Sequence, residues 1–198
     1  MGRPGLGTDQ KKARRLKATI AFLDESGLML QPLVQRTWAL VGETPILRPN
    51  ARRNRRVSVI GAFTVSPVAR RWNLFVALHP DGSIRSTQVV AFLRQLLRSV
   101  RGSVIIVWDR SNTHRSAETK TYLNSQPRLH VEQLPAYAPD LNPQEQIWGH
   151  SKKNALANYC PDDTAELHDT AAETFAEIAS NQRLLRGLFK HTHLPLRL

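Results

Sequence analysis

The chain has 198 residues, with 28 Lys or Arg against 16 Asp or Glu, a formal net charge of +12. That length suits one globular domain with a sizeable core, and 41% hydrophobic residues exclude a wholly disordered basic tail. No apolar run nears the roughly 20 residues that span a bilayer, and no signal-peptide pattern follows Met1. The single cysteine, Cys160, excludes an internal disulfide and a Cys-based zinc site and reads as a small buried hydrophobe. The charge is uneven: residues 1–115 carry net +14 and residues 116–198 net −2. A basic first part points to a polyanionic partner such as nucleic acid.

In chain order, residues 1–17 are polar and basic and read as a flexible arm. Ala18 to Leu23 (ATIAFL) is a short apolar strand that ends on Asp24. A mixed stretch follows, in which Trp38 and Gly42 are expected to make and pack a turn. Arg48 to Arg56 is a basic loop holding Arg48, Arg52, Arg53, Arg55 and Arg56. Val57–Val65 and Trp72–Leu78 read as strands joined by a turn at Ser66-Pro67, hence an antiparallel pair. Ser86 or Thr87 can cap a helix to about Ser99, with Val89, Val90, Leu93, Leu96 and Leu97 at helical spacing. Val104–Trp108 is apolar throughout, the mark of a strand covered on both faces, and it delivers Asp109. A helix over 116–124, a strand over 129–134, a Pro-rich loop and a helix from Pro143 to about Ala157 come next. After Pro161 the chain reads as helical to about Phe189. Antiparallel strands first, then helices alternating with strands, predict a mixed α/β sheet with helices on its faces.

Three carboxylates stand out by position. Asp24 and Asp109 close apolar strands, and ligand crevices of open α/β sheets lie beyond strand carboxyl ends. Glu145 lies in the first turn of a helix. Converging carboxylates repel one another unless cations sit between them, and hard oxygen ligands select Mg²⁺ or Mn²⁺. Each has a structural alternative. Asp24 and Asp109 suit turns, and Glu145 is at the capping-box position after Asn142 and Pro143.

Longer motifs carry more information. AFLDESG (21–27), TWALVGETP (37–45), VIIVWDRSNTHRS (104–116) and LPAYAPDLNPQEQIWGHSKK (134–153) occur in this order. Together they resemble bacterial transposases of the insertion-sequence six-thirty family, relatives of the mariner elements. The resemblance spans roughly residues 18–160. It implies a ribonuclease-H-like fold, a mixed five-stranded sheet flanked by helices, and an Asp-Asp-Glu triad at Asp24, Asp109 and Glu145. It also implies a supporting histidine at His114, and a loop with Tyr137, Asn142 and Pro143 that presents Glu145. Trp148 and Lys152 share the helix face of Glu145. Where many relatives have Asn after the second Asp, this chain has Arg110.

The implied reaction is metal-dependent cleavage at element ends, then attack of the freed 3′-hydroxyl on target DNA, at a TA dinucleotide in this superfamily. Two Mg²⁺ or Mn²⁺ ions on the triad would serve it. The implied partners are element and target DNA, a second copy on DNA, and a separate helix-turn-helix subunit, in a bacterial cytoplasm. Arg48–Arg56, the arm, Lys152 and Lys153 are candidate phosphate contacts. The expected organisation is an arm (1–17), a catalytic domain (18–160) and a helical extension (161–198). The extension is amphipathic and packs on the domain or on another subunit. A nuclease without strand transfer and an inactive DNA-binding remnant are the competing functions.

Overall fold

A computed structural model describes residues 12–13, 15–48, 55–66, 71–135, 139–192 and 194. Its elements are β1 (Thr19–Met29), β2 (Arg56–Ser66), β3 (Arg71–Pro80), α1 (Ser86–Ser99), β4 (Val104–Trp108), α2 (Ala117–Asn124), β5 (Leu129–Gln133), a 3-10 turn (Pro139–Leu141), α3 (Pro143–Lys153), α4 (Thr164–Ser180) and α5 (Gln182–Lys190). The five strands form one sheet in the order β3-β2-β1-β4-β5. β1, β2 and β3 pair antiparallel, while β4 pairs parallel with both β1 and β5. This is the expected mixed five-stranded sheet flanked by helices.

Strand alternation sorts the core into two layers. Ala21, Leu23, Ile60, Ala62, Val104, Ile106 and Trp108 face α1, whose Val89, Phe92, Leu93 and Leu96 cover them. Ile20, Phe22, Val59, Phe63, Ile105 and Val107 face the other way. Ile147 and Trp148 of α3, Leu167 and Phe175 of α4, and Leu185 and Phe189 of α5 cover that face. The amphipathic tail thus packs on its own chain, with Phe189 stacked on Phe63 at 5.8 Å between ring centroids.

Several boundaries differ from the sequence reading. β1 does not end at Asp24. It runs to Met29, with Asp24 opposite Gly61 and Met29 opposite Arg56. The apolar pattern stops because Asp24 to Gly27 are only half-buried, yet backbone pairing with β2 continues. α1 begins at Ser86 itself, and the Arg85 N–H donates to Gln88 Oε1 at 3.0 Å. α3 stops at Lys153 rather than near Ala157. Beyond it Asn158 takes a left-handed φ of 58°, which asparagine tolerates, and its side chain bonds Gln35 N and O. Gly42 does lie in a turn, at φ 87°, but Trp38 is 99% exposed and packs nothing there. Cys160 is half-buried, not fully buried.

Residues 1–11 and 14 of the arm, Arg52, Arg53 and Tyr137 lie outside the described residues. The described end of the arm is docked. Ala13 is buried in the core, and Lys12 Nζ meets Glu132 Oε1 of β5 at 2.5 Å.

Candidate active site

The parallel register of β1 and β4 aligns the first two carboxylates. Phe22 pairs with Val107, and Asp24 and Asp109 each lie two residues beyond that pair. The register thus leads both backbones toward one end of the β1–β4 pair. Pairing of Asp24 with Gly61 holds its backbone in β1.

The third carboxylate arrives on α3. Asn142 caps this helix, its side chain accepting from Gln144 N at 3.2 Å, with Pro143 at the first turn. Among the described residues no hydrogen bond from Glu145 closes a capping box. Asn142 Nδ2 instead donates to Asp24 Oδ2 at 3.2 Å, and Trp148 Nε1 donates to the same oxygen at 3.3 Å. Cap and indole thereby pin the start of α3 onto Asp24. Glu145 is exposed at the rim of this junction.

Close approach of α3 requires Gly61. A Cβ there would lie 2.6 Å from Gln144 Nε2 and 2.7 Å from Trp148 Cη2. The Gln144 amide is fully buried, with neither of its polar atoms partnered among the described residues.

Burial raises the Asp24 carboxyl to about 7, and the neighbouring Glu145 and Glu25 charges add to the rise. Lys152, half-buried on α3, donates to Ser26 Oγ at 2.8 Å. Burial lowers its ammonium below the usual lysine range, against the pull of Glu145 and Asp24. It thus sits within the field of both acids.

Asp109 is held differently. Its Oδ1 accepts from Ser111 N at 2.9 Å and lies 2.9 Å from His114 Nδ1, while its side chain is 58% exposed. His114 is buried, its ring stacked on Trp108 at 4.1 Å. Its other nitrogen, Nε2, lies 2.9 Å from Glu25 Oε1. Burial alone lowers the imidazole pKa, but Glu25 and Asp109 reverse this and raise it.

All three acids offer the oxygen ligands that hard divalent cations prefer, and a cation would relieve the cost of ionising Asp24 that its burial, and then the Glu145 and Glu25 charges, impose. Among the described residues no three His, Cys, Asp or Glu gather around one point.

The basic candidates separate. Arg48 and Lys153 are exposed. Arg55 is instead engaged by Asp81, through Nε at 3.0 Å and through Nη2, and its Nη2 also donates to Thr164 Oγ1 at 3.1 Å. A planar guanidinium matched to the Asp81 carboxylate ties the β2 entry to the turn after β3, and through Thr164 to the start of α4. Arg56 donates to Ser83 Oγ at 3.1 Å. The sequence pattern singles out none of Glu25, Gly61 and Gln144. No local signal joins Glu25 to a histidine 89 positions away.

No curated protein sequence matches the chain. Among solved structures, it is similar to the Mos1 mariner paired-end complex with Mn, with a TM-score of 0.65 at 19% identity over 94% of this chain and 57% of that one. The catalytic domain of Mos1 mariner transposase gives a TM-score of 0.62 at 15% identity, covering 95% and 83%. The Mos1 strand transfer complex gives 0.65 at 19% identity, covering 94% and 56%. The chain spans a little over half the length of the Mos1 chains in those complexes. At such identities the likeness establishes the fold. The profile described as DDE superfamily endonuclease matches residues 19–168, which include all three acids and the whole sheet. The chain therefore belongs to the DDE superfamily of endonucleases.

Proposed function

We propose that the chain is the catalytic part of a DNA transposase, with Asp24, Asp109 and Glu145 as its metal-binding triad. The observation that carries the reading is the junction at Asp24. β1 and β4 pair in parallel up to Phe22 and Val107, two residues short of each acid, and Asn142 and Trp148 hold the helix of the third against the first. The fold shared with Mos1, whose complexes hold transposon ends and Mn or Mg, supports it.

Bound Mg²⁺ or Mn²⁺, as two ions, would activate the attacking oxygen and stabilise the leaving oxygen of a phosphodiester. Asp24 would offer a carboxylate already oriented by its two donors, and outer-shell donors of this kind fix ligand geometry. Asp109 and Glu145 would complete the set from the β4 end and the α3 start. Lys152 is placed to offset excess charge on the acids or to meet a DNA phosphate. Exposed Arg48 and Lys153 would contact backbone phosphates, giving affinity with little sequence choice.

The finer expectations belong to the same proposal. They are cleavage at element ends, 3′-hydroxyl strand transfer into TA, action as a dimer, and end recognition by a helix-turn-helix partner on bacterial DNA. No helix among the described residues is long and apolar enough to cross a membrane. Incubation with element-end DNA and Mn²⁺ tests the reading. Wild type should nick the end and join pre-cleaved ends to target, and Asp109→Asn should do neither while still binding DNA. Undiminished cleavage by Asp109→Asn would overturn the triad. Nicking without joined product would leave a nuclease in place of a transposase.

A further inference from the structure

We infer that Glu25 and His114 form a positioning pair that sets the Asp109 carboxylate from strand β1. The inference rests on the reading of Asp109 as a metal ligand and adds how that ligand is held. Asp109 lies past the end of β4, and 58% of its side chain is exposed, so packing does not fix it. Two groups do: its own Ser111 N–H and the His114 ring.

His114 is fixed on three sides. Trp108 lies parallel to its ring, within 5°, at 4.1 Å. Nδ1 faces Asp109, both Oδ1 at 2.9 Å and the backbone carbonyl at 3.2 Å. Nε2 faces Glu25 Oε1 at 2.9 Å. With one nitrogen held on Glu25, a planar ring pressed on Trp108 has its other nitrogen aimed at Asp109. Glu25 is therefore the fixed point of the chain of contacts.

Glu25 follows Asp24 directly, and strand alternation sends the two side chains to opposite faces. Asp24 meets α3 on one face, and Glu25 meets His114 on the other. One dipeptide of β1 thus sets both carboxylates: Asp24 itself, and Asp109 through His114. Loss of outer-shell partners weakens metal binding without removing a ligand.

The test uses the full chain, with Mn²⁺ binding followed by electron paramagnetic resonance of free ion, alongside thermal melting and cleavage across Mn²⁺ concentration. Glu25→Gln keeps an oxygen facing Nε2 and should bind Mn²⁺ like wild type within about threefold, while Glu25→Ala should weaken binding by roughly tenfold or more. High Mn²⁺ should restore much of the Glu25→Ala cleavage rate. His114→Asn keeps a donor near the Nδ1 position and should bind more tightly than His114→Ala. This second pair carries the test should Glu25→Ala fail to fold. A folded Glu25→Ala chain with wild-type Mn²⁺ affinity would overturn the pairing, as would equal losses in His114→Asn and His114→Ala. Asp109→Asn separates the two levels, because unchanged Mn²⁺ binding there would refute the metal-ligand reading itself.

Discussion

Replacing Gly61 by Ala probes how α3 is brought to Asp24. The added Cβ would lie 2.7 Å from Trp148 Cη2 and 2.6 Å from Gln144 Nε2, against the ordinary carbon contact of about 3.5–4.0 Å. The Gln144 amide is the end of a flexible chain with no hydrogen bond to lose, so it can yield. Trp148 cannot yield as easily, because Nε1 is bonded to Asp24 and the ring packs edge-on against Phe175 at 5.6 Å. Relief of that contact needs a retreat of roughly 1 Å by the indole or the helix. Overpacking of this kind costs about 1–3 kcal/mol, less the fraction of a kcal/mol gained by removing a strand glycine. A loss of about 2 kcal/mol in a chain of this size lowers Tm by roughly 4–8 °C. The same retreat stretches the 3.3 Å Trp148–Asp24 bond and moves Glu145 with its helix. A misplacement of about 1 Å can cost on the order of a hundredfold in rate. Thermal melting and single-turnover Mn²⁺-dependent cleavage measure both effects. Gln144→Ala added to Gly61→Ala should recover part of the stability but little of the rate, because the Trp148 contact remains. A Gly61→Ala chain as stable and as active as wild type would refute the reasoning.

Asp24→Asn should stabilise the metal-free chain above neutral pH. The folded carboxyl, at about 7, holds its proton more strongly than the unfolded one at 3.8, so stability falls as pH rises between those values. The shift corresponds to about 4 kcal/mol, part of it already present at pH 5, so denaturant unfolding should show a clearly larger advantage for the variant at pH 8 than at pH 5. Asp81 has the opposite sign. Hydrogen bonds from Arg55 and then Thr164 hold its carboxyl below the usual range, so its contribution is present at neutral pH and fades as pH falls through that lowered value. Asp81→Ala should therefore lower Tm more at pH 7 than in acid, and a deficit that did not shrink as pH falls would point to packing instead. Arg48→Ala and Lys153→Ala should each weaken DNA binding and reduce the salt slope by about one unit, whereas Arg55→Ala should lower Tm and leave the slope unchanged. A reduced slope in Arg55→Ala would show that its guanidinium leaves Asp81 for DNA.

Local pattern made most of the fold legible. The apolar runs at 18–23 and 104–108, the short link between β2 and β3, and the spacing from Val89 to Leu97 are near-neighbour signals, and each element lies where they put it. Boundaries slipped where a partner strand or a remote side chain decided them. β1 continues past Asp24 because β2 pairs with it there, and beyond the end of α3 Asn158 ties the chain to Gln35. The motif around Trp38 shows a turn but not whether anything packs on it, and the indole is 99% exposed.

The sequence by itself determined the acids, the elements that carry them and the family. Those depend on residue type, on spacing along the chain and on motif. Only the tertiary structure decided what each acid touches. That Asp24 accepts from Asn142 and Trp148, that His114 meets Glu25, and that Arg55 closes on Asp81 are contacts across 26 to 124 positions. The absent side chain of Gly61 matters for the same reason. Strand pairing and helix packing bring such groups within 4 Å in space, and no local periodicity encodes a distance of that kind.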